Sequence, residues 1–169
     1  MSGQANDSRR FLVALAGTED ASSADLIANI LGSDAPVELT LLHVLETEPR
    51  ELAAFDPGIR RGPWPLPSRN AVETRLDAAD DAKAEALLAI WRERFAKALP
   101  GAEISHLVAK GRPEREIVAA AQRLNPDAVV LSARPRSDPD EAGPRSVGHV
   151  ARFVLDHSPV PVLLVRRSV

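Results

Sequence analysis

The sequence predicts an α/β fold, a single domain with an open parallel sheet of five strands and helices on both faces. Five apolar runs of strand length alternate with four segments in which apolar residues recur at helical spacing. A length of 169 residues, with 44% hydrophobic and 27% charged residues, suits one globular domain. Strands that alternate with helices pair in parallel through crossover connections, so the helices are expected to cover both faces of the sheet.

The composition excludes several classes of protein. The chain has no cysteine, which excludes a disulfide scaffold, a thiolate metal site and a catalytic thiol. Residues 1–10 are polar and the apolar runs are only of strand length. We therefore expect a disordered polar tail, no secretory signal, no membrane span and a cytoplasmic protein. A net charge of −3 without a basic tract argues against nucleic acid as a partner.

Residues 11–169 form the predicted domain, and its first part contains two strands and an insertion. The continuous apolar run at residues 11–15 predicts the first strand, and a turn leads from it into a helix that Gly32 ends. The inner face of this helix is predicted from apolar residues at helical spacing: Leu26, Ile27, Ile30 and Leu31. The second strand is predicted at residues 37–44. Residues 47–68 contain five prolines and two glycines, so we interpret them as a proline-rich insertion.

The middle of the chain predicts two helices that flank a third strand. A long amphipathic helix is predicted from its apolar positions: Leu76, Leu87, Leu88, Trp91, Phe95 and Leu99. The third strand is predicted at residues 104–109. The next helix has Pro113 in its first turn and is stopped by Asn125-Pro126. Its predicted inner face consists of Ile117, Val118, Ala121 and Leu124.

The last part predicts a strand at residues 128–131, a helix at residues 148–157 and a strand at residues 160–165. A loop between such a strand and helix, beside the free N–H groups of the helix, commonly holds phosphate in α/β proteins. Here residues 133–145 contain one glycine, three prolines and three arginines, so few backbone amides can approach a ligand closely. The architecture resembles that of a nucleotide binder, whereas the composition of this loop indicates altered chemistry.

Several segments, in order along the chain, resemble the universal stress protein family. They are residues 11–19 (FLVALAGTE), 39–44 (LTLLHV), 111–113 (GRP) and 148–166 (GHVARFVLDHSPVPVLLVR). The resemblance implies that the first and fourth strands are neighbours, with a ligand crevice between their carboxyl ends. General rules for α/β sheets place a ligand at the same switch point.

The resemblance also implies where a nucleotide site would lie, at Ala16, Gly17, Thr18, Val44, Ser132, Arg134, Gly148, His149 and Val150. Nucleotide-binding members are expected to have an aspartate at the position of Ala16 and glycines at those of Leu131 and Arg134. The replacements imply a non-catalytic stress-response or regulatory module with weak or lost ATP binding and no expected cofactor. The alternative is a universal stress protein that binds ATP, in which Arg134 or Arg136 replaces backbone contacts to phosphate.

Two other interpretations of the crevice are weaker. A basic cup of Arg134, Arg136, Arg145 and His149 could hold an anion, but acidic residues in the same loop would neutralise it. A small hydrolase would need Ser132, His149 and Asp20 to meet as a triad, yet no G-x-S-x-G motif surrounds the serine.

Two other histidines, His43 and His106, lie in predicted strands, where packed or hydrogen-bonded histidines are more common than ligands. No spacing typical of metal ligands joins any pair of histidines, so no metal site is predicted.

The last strand predicts a homodimer. Its residues Val160, Val162, Leu163, Leu164 and Val165 are too apolar for an exposed sheet edge. The prolines at 159 and 161 suit an edge strand, because proline cannot donate a ladder hydrogen bond. The resemblance implies the same pairing, since family members commonly associate through this strand. A further protein partner is possible, whereas neither nucleic acid nor a membrane is expected.

Overall fold

The computed structural model describes residues 8–16, 21–32, 36–46, 69–133 and 147–166. Along the chain the elements are β1 (Arg9–Leu15), α1 (Ala21–Leu31), β2 (Val37–Glu46), α2 (Arg69–Ala98), β3 (Glu103–Gly111), α3 (Pro113–Leu124), β4 (Ala128–Ser132), α4 (His149–His157) and β5 (Val162–Val165). The strands form one parallel sheet in the order β3-β2-β1-β4-β5. The predicted α/β fold is therefore confirmed.

The starts of two strands, β1 and β5, differ by two residues from the sequence prediction. β1 begins at Arg9, because the Arg9 N–H donates to the Pro36 carbonyl at 2.9 Å and extends the pairing with β2. β1 therefore begins two residues earlier than the predicted first strand, and residues 1–7 of the predicted tail lie outside the described residues. β5 begins at Val162 instead of Val160, since Pro161 offers the sheet only its carbonyl, which accepts from Val129 N–H at 2.9 Å.

One face of the sheet packs on α1 and α2. Trp91 and Phe95 of α2 are fully buried there, with ring centroids 6.0 Å apart, against apolar side chains of β1 and β2. The opposite face packs on α3 and α4 through Ile117, Ala121 and Val154. Helices thus cover both faces, and burial of these aliphatic and aromatic side chains is the main source of stability. No helix in the described part of the chain is long and apolar enough to cross a bilayer.

Two helical residues predicted to face inward do not. Ile30 is 49% exposed, because the buried stripe of α1 lies one position away, at Ala24, Ile27, Ala28 and Leu31. Leu124 is 36% exposed, because it is the last residue of α3. The helix does end where predicted, since Asn125 adopts a left-handed conformation (φ 44°) and its N–H caps the Ala121 carbonyl at 3.0 Å.

The two edges of the sheet carry different side chains. On β3, Lys110 Nζ lies 2.8 and 2.9 Å from the two carboxylate oxygens of Asp81 in α2, and His106 Nε2 lies 3.1 Å from Glu85 Oε2. On β5 the side chains are all apolar, and Val162, Leu163 and Leu164 are half-buried within the single chain. Charged side chains therefore line one edge, and aliphatic side chains the other.

Candidate functional site

The sheet has its topological switch point between β1 and β4. These strands pair in parallel from Phe11 opposite Ala128 to Ala14 opposite Leu131, as the sequence analysis predicts. β2 and β3 lie on one side of β1 in the sheet, and β4 and β5 lie on the other side. The helix after β1, α1, packs on one face of the sheet, and the helix after β4, α4, packs on the other. General rules for α/β sheets place a ligand crevice above the carboxyl ends of two such strands.

Three of the predicted site residues lie at this carboxyl edge. Ala16 follows β1 directly and is exposed. Val44 lies in β2, half-buried against the α3 and α4 side of the core. Ser132 is the half-buried last residue of β4 and pairs with Val165. All three therefore lie at the carboxyl ends of neighbouring strands, where the crevice is expected.

The start of α4 lies at the same edge, because this helix runs back toward the amino end of β5. Gly148 is its N-cap and has a backbone conformation (φ 91°, ψ 153°) that residues other than glycine rarely adopt. His149 is exposed, while Val150 packs on the same side of the core as Val44. No described side chain caps the first N–H groups of this helix.

The assignment of a ligand-facing glycine position to Leu131 is wrong. Leu131 lies within the β4 ladder, paired with both Ala14 and Leu164, and only 4% of its side chain is exposed. The chain leaves the strand two residues later, at Ala133, whose N–H still donates to the Val165 carbonyl at 2.9 Å. Leu131 is a core residue, so its side chain does not decide how closely a ligand approaches the loop.

Gly17, Thr18 and Arg134 lie outside the described residues, as do Asp20 and the other two arginines of the predicted cup, at positions 136 and 145. Of the predicted site, the structure therefore places Ala16, Val44, Ser132 and the first turn of α4 at the carboxyl edge of the sheet. Within the described residues no side-chain hydrogen bond joins Ser132 to His149. The geometry gives the proposed hydrolytic triad no support.

A family comparison identifies the chain. The model of the universal stress protein family matches residues 8–166. The chain belongs to this family. No curated protein sequence matches it.

Solved structures agree on the fold. The hypothetical protein MJ0577 is 20% identical, with a TM-score of 0.71 over 95% of this chain and 97% of that one. The universal stress protein UspA from Lactobacillus plantarum is 23% identical, with a TM-score of 0.63 over 94% and 97%. A universal stress protein family protein from Arabidopsis thaliana, solved with AMP bound, is 20% identical, with a TM-score of 0.60 over 95% and 92%.

One histidine of this universal stress protein is held at the crevice by the backbone. His43 pairs with Leu15 in the sheet, and its Nδ1 lies 3.0 Å from the Leu15 carbonyl oxygen. A carbonyl only accepts, so Nδ1 must carry the proton. His43 is thus a hydrogen-bonded strand histidine, as predicted, and so is His106, which contacts Glu85.

The sequence analysis missed one carboxylate at this edge. Glu116, in the first turn of α3, lies so close to Gly111 that a β-carbon there would be 2.8 Å from Glu116 Oε1. The signal in the sequence was a glutamate three residues after the proline of the Gly-x-Pro turn. Among the described residues, no three His, Asp or Glu side chains lie together in a way that could hold a metal ion.

Proposed function

We propose that this universal stress protein is a non-catalytic regulatory module of the stress response whose crevice binds ATP weakly or not at all. The observation that carries the proposal is Ala16, exposed at the end of β1 where the family resemblance places an aspartate. A methyl group accepts no hydrogen bond from a nucleoside. Losing a hydrogen bond to a charged group costs about 1.5–3 kcal/mol, which is roughly a tenfold to hundredfold loss of affinity.

The end of β4 supports the same conclusion. Phosphate in such crevices is held by backbone N–H groups of the loop that follows the strand. The first N–H of that loop belongs to Ala133, and it is already bonded to the Val165 carbonyl at 2.9 Å. Ala133 is also buried, with 8% of its surface exposed. The loop therefore starts with an amide that is committed to the sheet.

The alternative, an ATP-binding universal stress protein, is favoured by Gly148. This glycine keeps a backbone conformation that brings the start of α4 to the carboxyl edge without a side chain in the way. The Arabidopsis relative holds AMP on the same fold. In this alternative the first N–H groups of α4 would receive phosphate, as helix starts commonly do.

Calorimetry with ATP and AMP separates the two proposals. For the unmodified chain we expect a Kd for ATP above about 10 μM, which corresponds to roughly −7 kcal/mol. Ala16→Asp restores a carboxylate and should tighten binding by about tenfold or more. Ala96→Asp, on the exposed side of α2, is the matched control and should change nothing.

Tighter binding by the unmodified chain would overturn the proposal in favour of ATP binding. An Ala16→Asp variant that binds no better than Ala96→Asp would show that Ala16 is not the deciding position.

A further inference from the structure

A second concave site lies at the opposite, amino edge of the sheet. It encloses about 220 Å³ and is lined by Arg10 and Leu12 of β1, Glu38 and Thr40 of β2, and Leu124 and Pro126 at the end of α3. Pockets for drug-sized ligands measure about 300–1,000 Å³, so this one suits a smaller molecule. None of the crevice residues discussed above contributes to it.

Charges of both signs border this pocket without neutralising each other. Arg10 and Glu38 are directly opposite in the register of β1 and β2, so their side chains project from the same face. In the described part of the chain, no ion pair joins them or engages the Arg10 guanidinium. The Glu38 carboxylate instead accepts a hydrogen bond from the Ser8 hydroxyl. A cation and an anion are therefore both presented to whatever enters the pocket.

Asp127 holds the backbone of Arg10 in place. The Arg10 N–H donates to Asp127 Oδ2 at 2.7 Å, and the Asp127 N–H donates back to the Arg10 carbonyl at 2.8 Å. This reciprocal pair joins the start of β1 to the segment before β4. Asp127 thus engages both the N–H and the carbonyl of Arg10, while the Arg10 guanidinium is left for other contacts.

Thr40 adds a hydrogen-bond acceptor. Its Oγ1 lies 3.1 Å from Ser105 Oγ, and Ser105 Oγ donates to the Leu39 carbonyl at 3.3 Å. Because the single Ser105 hydroxyl proton is committed to that carbonyl, Thr40 is the donor in the Thr40–Ser105 bond. The lone pairs of Thr40 Oγ1 then remain to accept a hydrogen bond from a ligand.

The remaining wall of the pocket is apolar and ends at a helix terminus. Leu12 and Pro126 are buried, and Leu124 exposes 36% of its surface at the last position of α3. The carboxyl end of a helix carries partial negative charge and favours a cation. The Glu38 carboxylate, the Thr40 hydroxyl oxygen and this end of α3 would therefore all attract a positively charged group of a ligand.

We propose that this amino-edge pocket binds a free α-amino acid with an apolar side chain. Arg10 pairs with the ligand carboxylate, since a guanidinium matches the geometry of a carboxylate. Glu38 and Thr40 Oγ1 accept from the ammonium, and the side chain packs on Leu12, Leu124 and Pro126. A simple carboxylic acid or a simple amine would leave one charged protein group beside the pocket without an oppositely charged partner. The zwitterion is the ligand class that matches both.

Titration with L-leucine, followed by amide chemical shifts in ¹H–¹⁵N spectra, tests this proposal. We expect saturable shifts at Leu12, Thr40 and Leu124, with a Kd below about 10 mM. Leucinamide, which lacks the carboxylate, and 4-methylpentanoate, which lacks the ammonium, should each bind at least about tenfold more weakly. The comparison of these three probes uses the unmodified chain, so it does not depend on the folding of any variant.

Two variants assign the contacts. Arg10→Gln and Glu38→Gln should each weaken leucine binding about tenfold, whereas Arg92→Gln, an exposed arginine of α2, should leave it unchanged. No saturable shift at about 10 mM leucine would overturn the proposal. Equal affinity for leucine and either analogue, or a Kd that Arg10→Gln leaves unchanged, would do the same.

Discussion

His43 Nδ1 donates to the carbonyl oxygen of Leu15 across 3.0 Å, so β2 holds the last residue of β1 at the rim of the crevice. Both the neutral ring, in this tautomer, and the protonated ring carry a proton on Nδ1, so the bond survives in either charge state. The residue that follows Leu15 is Ala16, the position on which the proposed loss of ATP binding depends. The backbone at that position is therefore fixed even though its side chain is only a methyl.

Replacing His43 tests this anchor. His43→Leu should lower the free energy of unfolding by about 0.5–1.5 kcal/mol, because the carbonyl of the buried Leu15 loses its side-chain donor. His43→Asn places an amide N–H near the position of Nδ1 and should recover part of that loss. Urea unfolding of the three proteins measures both effects, and equal stability of the Leu and Asn variants would contradict the role assigned to the bond.

Gly148 should resist substitution because of its backbone conformation. A side chain at φ 91° and ψ 153° is strained, so Gly148→Ala should cost about 1–3 kcal/mol of stability. His149→Ala, at the exposed neighbouring residue, is the control and should change stability by less than about 0.5 kcal/mol. Thermal unfolding would compare them; similar midpoints for the two variants would argue that the start of α4 relaxes without strain.

The homodimer through β5 remains a proposal, and solution mass tests it. Light scattering at tens of micromolar should give a dimer, and Leu164→Asp should dissociate it. Since Leu164 is half-buried, the control is Leu107→Asp, at an equally half-buried residue on the other edge strand. This control should lose stability but remain dimeric. A monomeric unmodified chain would refute the pairing.

Glu93 provides a pH-dependent measurement on the surface of α2. A hydrogen bond from Lys97, with Nζ 2.8 Å from Glu93 Oε1, and the charge of Lys97 lower the pKa of Glu93 below its usual value. With a lowered folded-state pKa, any stabilisation by this pair is present above the unfolded pKa. It is lost as the pH falls through the folded pKa. In an NMR titration Lys97→Met should raise the pKa of Glu93, whereas Lys83→Met, at the Asp80 pair, should leave it unchanged.

The spacing of apolar residues in the sequence predicted the helices and strands well, because the residues that face the core must be apolar. Every predicted strand and helix is present, and Trp91, Phe95 and Ile117 face inward as expected. The errors fall where one residue decides the outcome. Ile30 fits the helical spacing as well as its neighbours do. The buried stripe of α1 is displaced by one position from the predicted one, however, so Ile30 faces solvent. Leu131 lies in the predicted strand, yet the resemblance matched it with a ligand-facing glycine; its pairing with Leu164 shows that it belongs to the sheet.

The two sites differ in how far the sequence could reveal them. The crevice follows from strand order, and the resemblance to universal stress proteins pointed to its residues directly. The amino-edge pocket combines the starts of β1 and β2 with the end of α3, and Arg10 meets Glu38 only through the strand register. Register depends on turns and on packing of the whole sheet, so residues far apart in sequence give no local signal of such a meeting.

The unlike edges of the sheet set a limit on assembly. If two copies join along β5, each contributes its aliphatic edge, and the composite sheet is left with β3 at both ends. Those ends carry Lys110 with Asp81 and His106 with Glu85, and charged side chains on an edge strand discourage the addition of another chain. Assembly by strand addition would therefore stop at two copies, and the dimer would not extend into a fibre.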